Sequence, residues 1–441
     1  MVVIRMKFID LFAGMGGTRI GFEQACEELG IQPECVFTSE IKQYATKLYQ
    51  HNFHNEEVYG DITKVNTSDI PDFDFLLGGF PCQAFSSAGK KLGFNDARGT
   101  LFFDIARILK DKQPAGFLLE NVEGLVTHDK QNKSDKIGRT LQTILKILMD
   151  LGYKTTWSVI DSSEHGVPQK RKRVYIVGTK TKVVSLENLP QKQCLIKDIL
   201  EQGLPTENTE FKQRLLTLYS KEHLYGKSIK DKRGGKDNIH SWDLELKGSL
   251  TKQQKVLMNK LLKERRKKHW AKELGIDWMD GMPLTTNHIH SFMQDYKLND
   301  LQKMLDDLVE KSYLRLEPPK KLVKENNTSM RVYDYKKPSG YNIVTGKLSF
   351  ELNKILDPNG IVNTIVATET DRLGVIDGDG LRTLSERECL RLFGFPESYR
   401  TNIPRKQLYD LIGNTVVVPV IKLVSNRVIK TLITDKVKFV A

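Results

Sequence analysis

Along residues 1–180, short apolar runs alternate with stretches whose apolar positions recur at helical spacing. The runs Lys7–Phe12, Cys35–Ser39, Phe73–Leu77, Gly116–Leu119, Thr155–Ile160 and Val174–Val177 predict six strands. Thr18–Leu29 and Thr100–Lys110 predict helices between them. This alternation implies an α/β fold, a Rossmann-like parallel sheet with helices on both faces. Ligands of such sheets bind at the carboxyl ends of the strands. From about residue 183 the pattern changes: lysine and polar residues dominate and the alternation is lost. Residues 227–237, KSIKDKRGGKD, read as a basic loop. Residues 251–274 predict one long helix with nine Lys/Arg against two Glu. Leu284–Tyr296 and Asn299–Ser312 predict two shorter helices, and Tyr313–Glu317 a strand. Three helices and a strand pair are the pattern of a winged helix.

The 441 residues allow two or three domains, and 39% hydrophobic with 28% charged residues suits a soluble globular chain. No apolar run approaches the ~18 residues that span a bilayer, and MVVIRMKFIDLFAG is too short to be a signal peptide. The five cysteines, Cys26, Cys35, Cys82, Cys194 and Cys389, include no CxxC pair. That excludes a disulfide framework or zinc ribbon, fits a reducing cytosol and predicts no metal. The net charge of +13 suggests a polyanionic partner, nucleic acid first.

Candidate chemistry sits where the predicted strands end. Asp10–Gly17, DLFAGMGG, is a glycine turn between a strand and a helix, where the backbone can approach a ligand closely. A packing turn would look the same. Glu40 ends the next strand, placed to accept hydrogen bonds from ribose hydroxyls. Asp61 in GDIT follows what should be a third strand and could accept a bond from an adenine amino group. Each acid alone is also consistent with a solvated strand end; the three features in this order favour an adenosine-containing cofactor. Cys82 in GGFPCQAFSSAG lies just past a buried strand, either a small buried thiol or a nucleophile stiffened by Pro81. Glu120 in LLENV ends another apolar strand and could protonate a ring nitrogen if its pKa is raised. PQKRKR places Arg171 and Arg173 two apart, on one face of a strand, or in a solvated basic turn.

Together these residues closely resemble the C5-cytosine DNA methyltransferases that partner bacterial restriction enzymes. The ordered match covers DLFAGMGG, Glu40, GDIT, GGFPCQAFS, DARGTLFFDIARI, ENV and PQKRKR, and resumes with LRTLSERECLRLFGFPESY and GNTVVVPV. The resemblance implies a Rossmann-like S-adenosylmethionine-dependent methyltransferase sheet with a separate mixed α/β target-recognition domain. The catalytic domain would span 1–183, completed by 406–441. The recognition domain would span 184–405, with a winged-helix-like insertion at 250–320. It implies that Cys82 attacks C6 of a cytosine flipped out of duplex DNA, that Glu120 bonds the N3 edge, and that Arg173 faces O2 while Arg171 positions the loop or a phosphate. The methyl group would reach C5 from S-adenosylmethionine, leaving S-adenosylhomocysteine. Phe12, Ala13, Gly14, Gly16 and Gly17 would surround the methionine part. Glu40 would take the ribose, and Asp61 and Ile62 the adenine. Ile41 departs from the aromatic that relatives often place against the adenine. Gly79, Pro81, Leu101, Asn414 and Thr415 would complete the pocket. Toward DNA it implies Gln83, Ser86, Ser87 and Arg98, and the pair Thr364–Ile365 near the flipped base. Arg233 and Lys236 in RGGK would read bases or backbone, and the long basic helix would either meet phosphates or present a solvated face on a structural helix. The helix NDLQKMLDDLVEKS is too acidic for a groove reader and suits a scaffold or protein-contact role.

The remaining expectations are a monomer, cytoplasmic and prokaryotic or phage-encoded, with no membrane partner. A separately encoded cognate restriction endonuclease is the partner that the resemblance allows. A tRNA cytosine-5 methyltransferase shares the catalytic motifs but has a small recognition region. A non-catalytic DNA-binding regulator on the same scaffold would not need Cys82, Glu120 and the arginines intact.

Overall fold

Strand β1 (Arg5–Leu11) takes up the first apolar run and buries Phe8, Ile9 and Leu11 completely. The computed structural model describes residues 4–54, 56–80, 101–132, 134–231, 238–325, 328–345 and 350–437. Over these, every predicted strand of the N-terminal region is present. After β1 come β2 (Gln32–Ser39), β3 (Phe75–Gly78), β4 (Gly116–Val122) and β5 (Lys154–Asp161). A two-residue strand β6 (Gln169–Lys170) then precedes β7 (Lys172–Thr179). One sheet results, in the order β2-β1-β3-β4-β7-β5. Its helices are α1 (Gly17–Glu28), α2 (Gln43–Asn52), α3 (Leu101–Lys112), the single turn α4 (Gly124–Thr127) and α5 (Arg139–Asp150).

The sheet is not wholly parallel. β1 to β4 run parallel, but β7 is antiparallel to both β4 and β5. The cause is the length of the β5–β7 connection. Only Ser162–Arg171 lies between them, too short for the crossover of a dozen or more residues that a parallel pair requires. Nor does Asp61 follow a third strand. Tyr59 makes only an isolated bridge to Ser39, and Asp61 caps a short 3-10 turn, Ile62–Lys64.

All four residues of β3 are buried, as suits a central strand covered on both faces. On one face Leu76, Phe102, Ile105, Leu109, Phe117, Leu119, Ile144 and Leu148 form a continuous core. On the other, Phe22 of α1 packs between Phe8 and Phe75, at ring-centroid distances of 4.8 and 4.9 Å. The C-terminal helix Val418–Val437 lies along α1, so close that a Cβ on Gly21 would meet Ile421 at 2.7 Å.

The chain divides into two compact units. The first is Met1–Glu201, Pro358–Asp371 and Leu384–Ala441; the second is Gln202–Asp357 and Arg372–Thr383. The second has a small mixed sheet of Gly380–Thr383, Leu373–Asp377, Lys354–Ile355, Ser228–Ile229 and Asn238–Ile239, cored by Leu215, Ile229, Leu352, Ile355 and Leu381. It also contains residues 250–320, the expected winged-helix-like insertion. Helices Lys252–Glu264 and Lys268–Leu274 precede a bridge from Leu284 to Tyr341. Helices Thr286–Phe292 and Leu298–Glu310 follow, then strands Leu314–Glu317 and Gly340–Ile343 paired antiparallel. Between those strands a hairpin pairs Lys320–Glu325 with Thr328–Tyr333.

The single basic helix expected over 251–274 is broken at 265–267. Arg265 is 2% exposed, bonds to Asn342 Oδ1, and donates to the Ile343 carbonyl at 3.4 Å. The chain turns there to bury that guanidinium. Among the described residues no helix is long and apolar enough to cross a membrane.

Candidate active site

The glycine turn after β1 runs through positive φ at Phe12 (57°), Gly14 (56°) and Gly16 (83°). At Gly16 glycine is required twice over, since a Cβ would also sit 2.4 Å from the Phe53 ring. The main chain closes the turn, Ala13 N donating to Ser39 O at 3.1 Å and Gly16 N to Ala13 O at 2.8 Å. Glu40, at the end of β2, faces the turn. Its Oε2 accepts from Gly14 N and its Oε1 from Lys42 N, each at 2.8 Å. The carboxylate is thereby oriented while each oxygen keeps acceptor capacity for a hydroxyl. Next to it Ile41 is 70% exposed, an apolar side chain left against solvent at the strand edge. Asp61 Oδ1 accepts from Thr63 N at 3.1 Å and Thr63 Oγ1 at 2.8 Å, and these bonds hold its pKa below the ordinary carboxylate value. Ile62 beside it is buried. A methionine-bearing nucleoside fits these features: space above Gly14, where a Cβ would meet nothing nearer than 4.0 Å, fixed acids, and an apolar side chain.

From the C-terminal stretch of the same unit, Thr415 Oγ1 lies 3.0 Å from where a Gly17 Cβ would stand. Asn414 is exposed, its Nδ2 donating to Asp410 O at 2.7 Å. Tyr399 Oη donates to Met15 O at 2.7 Å and secures the turn from that side. Leu101 opens α3, half-buried against the core.

Two strands from β1, Glu120 lies in the last paired stretch of β4, two residues before its end. Its Oε1 is 3.2 Å from Arg173 Nε, and the two side chains are only 12% and 14% exposed. Antiparallel pairing makes this contact, because β7 sets Arg173 opposite Val122 and Tyr175 opposite Glu120. Desolvation raises the Glu120 pKa, against the opposing pull of Arg173 and Arg171. Gly79 adjoins the pair: a Cβ there would lie 3.7 Å from Glu120 Oε2. Asn121 Nδ2 donates to Phe80 O at 3.2 Å, so β4 also anchors the chain leading to the cysteine. Pro81, Cys82, Gln83, Ser86, Ser87, Arg98, Arg233 and Lys236 lie outside the described residues.

Arg171 and Arg173 do not share one strand face. Arg171 falls between β6 and β7, where it is 3% exposed. Its guanidinium donates to the carbonyls of Ile365 (3.0 Å), Gly413 (3.2 Å) and Thr415 (2.9 Å) and lies over the Phe393 ring. The break after Lys170 turns it inward, onto main-chain carbonyls. Thr364–Ile365 come to the same place, since Val362–Asn363 pair with β6 and Thr364 Oγ1 donates to Lys170 O at 2.8 Å. Ile365 itself is 2% exposed, so Thr364 is what this pair can offer a ligand.

Three functional-looking groups escaped the sequence reading. Asn121 is one. Arg19, clamped by Glu56 and by Glu23 at 2.7 Å and lying 4.2 Å from the Phe53 ring centroid, holds α1 to the segment behind Gly16. Asp10 is fully buried, with Oδ1 accepting from Thr18 Oγ1 at 2.8 Å. A charged residue inside the apolar run FIDLF was the available signal.

A Rossmann-like sheet with a glycine turn facing a strand-end acid is an architecture that S-adenosylmethionine-dependent methyltransferases use. The C-5 cytosine-specific DNA methylase family matches residues 6–430, and the chain belongs to that family. It is 57% identical over 430 residues to the Type II methyltransferase M.NlaIV of Neisseria lactamica, covering 97% of this chain and 100% of that one. To M.HgiCI of Herpetosiphon aurantiacus it is 41% identical, covering 95% and 96%. Among solved structures, an Entamoeba histolytica methyltransferase superposes with a TM-score of 0.51 at 16% identity, covering 98% of each chain. The S. pombe Dnmt2 methyltransferase gives 0.52 at 16%, covering 98% of this chain and 99% of that one. At such identities these two speak for the fold alone.

Proposed function

We propose that this methyltransferase modifies C5 of one cytosine in a specific duplex DNA sequence, the base being flipped out of the helix. The observation that carries the reading is Glu120, desolvated and 3.2 Å from Arg173 Nε at the strand ends beside Gly79. C5 of cytosine is a weak nucleophile, so the ring needs activation. Cys82, as thiolate, adds to C6. Glu120, kept protonatable by its burial, donates to N3 and offsets the charge that builds there. Arg173 orients Glu120 and faces O2. Arg171 holds the Thr364 and Thr415 segments in place as a positioning residue. C5, made nucleophilic by that addition, takes the methyl group; loss of the C5 proton to a base then re-forms the C5–C6 double bond and expels Cys82 as thiolate, and N3 returns its proton to Glu120.

S-adenosylmethionine supplies the electrophilic methyl group when bound. Phe12, Ala13, Gly14, Gly16 and Gly17 would border its methionine part, Glu40 its ribose, and Ile41, Asp61 and Ile62 its adenine. Gly79, Pro81, Leu101, Asn414 and Thr415 would close the pocket. Target recognition is assigned to the inserted second unit, with Arg233 and Lys236, while Gln83, Ser86, Ser87, Arg98 and Thr364 contact DNA from the catalytic unit. The likeness to Type II methyltransferases supports a modification role beside a separately encoded restriction endonuclease.

The test is transfer of labelled methyl groups from S-adenosylmethionine to duplex DNA and, in parallel, to tRNA. Incorporation into DNA that disappears in Cys82→Ser is expected. Incorporation into tRNA alone, or an unchanged rate in Cys82→Ser, overturns the reading. Bisulfite sequencing of DNA from an expressing host then identifies the target.

A further inference from the structure

In the winged-helix part, charge separates between two elements. The helix Leu298–Glu310 occupies the place from which a winged helix would enter a groove. Its exposed positions include Asp300, Asp306 and Glu310 against Lys303. Its acids are also used inside the unit: Asp307 accepts from Lys311 Nζ at 2.7 Å and Asp306 from Tyr341 Oη at 3.0 Å. An acidic face meets phosphates with Coulombic repulsion.

The connection between the last two strands, residues 318–339, has the opposite sign. It carries Lys320, Lys321, Lys324, Arg331, Lys336 and Lys337 against Glu325 and Asp334. The hairpin is a built element. Six residue pairs register from Lys320↔Tyr333 to Glu325↔Thr328, and Asp334 N donates to Pro319 O at 2.8 Å across its base. Lys320 Nζ lies 4.7 Å from the Tyr333 ring centroid, and Tyr333 Oη donates to Glu317 at 2.8 Å. Among the described side chains, little of its charge is spent on acids within the unit. Lys321 stands 3.8 Å from Asp334, and Arg331 Nη2 donates to the uncharged Trp278 carbonyl at 3.0 Å. Lys321, Arg331 and Lys336 are exposed, and Tyr335, 81% exposed, offers a hydroxyl among them.

We infer that this hairpin, and not the helix Leu298–Glu310, is the element through which the winged-helix part binds duplex DNA, by its phosphates. The inference rests on the proposal that duplex DNA is the substrate. Lysines on a strand pair are point charges suited to phosphate oxygens, whereas base edges are read by bidentate Arg, Asn or Gln. The contact therefore adds affinity without sequence preference.

The experiment compares the full-length wild type with Lys321→Gln/Arg331→Gln/Lys336→Gln and with Asp300→Asn/Glu310→Gln. Duplex binding is measured across a salt series, with and without the methylated sequence, together with methyl transfer at saturating DNA. For the hairpin variant we expect a rise in Kd of roughly tenfold or more and a salt slope shallower by about 2 to 3, one per phosphate lost. Target and non-target duplexes should lose equally, and saturated turnover should be unchanged, which also reports an intact fold. The helix variant should bind within about twofold of wild type. Wild-type affinity and slope in the hairpin variant overturn the inference and leave the hairpin to a protein partner. Loss confined to the target duplex overturns its sequence-independent character. Failure of the wild type to methylate this DNA overturns the substrate proposal instead, and the binding series still decides the hairpin's role. Absence of any duplex binding by the wild type overturns both.

Discussion

Glu120 is pulled in two directions, burial raising its pKa and the two arginines lowering it, with burial dominant. A neutral carboxyl is what N3 of a neutral cytosine needs as donor. Turnover that depends on the protonated form is full below that raised pKa and declines as pH climbs through it. Glu120→Gln can still donate a hydrogen bond but cannot give up a proton. It should lose about 10²- to 10⁴-fold in kcat while duplex affinity changes far less; a variant that loses only affinity contradicts the assignment. Asp10 makes a second case, this time in stability. Desolvation pushes its pKa from 3.8 up to about 7, and its Oδ2 is buried with no partner among the described residues. Because the folded value is raised, the stabilisation is complete below the unfolded value and is lost as pH rises through about 7. The loss is on the order of 4 kcal/mol at most. Urea unfolding at pH 5 and pH 8 should show this decline in wild type and a flatter response in Asp10→Asn, whose amide stays neutral.

At the scale of elements, the short return from β5 to β7 sets the chemistry. It reverses β7, brings Arg173 across from the end of β4, and drops Arg171 into the gap before the strand begins. Arg171→Lys loses the planar fork whose two terminal nitrogens reach Ile365 O on one side and Gly413 O and Thr415 O on the other, so it should leave at least one buried carbonyl unsatisfied. It should lower the unfolding free energy by about 2–4 kcal/mol. Arg173→Lys, whose partner is Glu120, should reduce methyl transfer with most of the stability retained. Urea midpoints and kcat measured on both variants separate the two roles. The central strands were legible because buried strands read as apolar runs, and apolarity survives whichever way a strand points. Direction was not legible for the same reason: Val174–Val177 reads alike parallel or antiparallel. Glu40 and Glu120 were legible as acids closing apolar runs. The inward turn of Arg171 and the buried Arg265 were not, since arginine is ordinarily a surface residue and both are held by main-chain carbonyls that leave no mark in sequence.

For the whole molecule, two units with separate cores predict unfolding that is not two-state. The four tryptophans make this observable, because Trp157 lies in the first unit and Trp242, Trp270 and Trp278 in the second. Fluorescence should therefore follow the second unit, while far-ultraviolet dichroism follows both, and the two thermal curves should not coincide. S-adenosylmethionine should raise the midpoint of the dichroism component contributed by the first unit and leave the fluorescence midpoint in place. Coincident curves that shift together would show the units to be one cooperative body. The tie made by Arg171 also has a bearing on synthesis. Its carbonyl partners lie 194, 242 and 244 residues further along the chain. At the ribosome's ~5–20 residues per second they arrive roughly 10–50 s later. Nascent chains still on the ribosome thus contain the cysteine and the glutamate but lack the backbone that holds the arginine. If Arg171 positions the site as proposed, methyl transfer is expected only from chains that reach Thr415, and a chain stopped before Ile365 should transfer none.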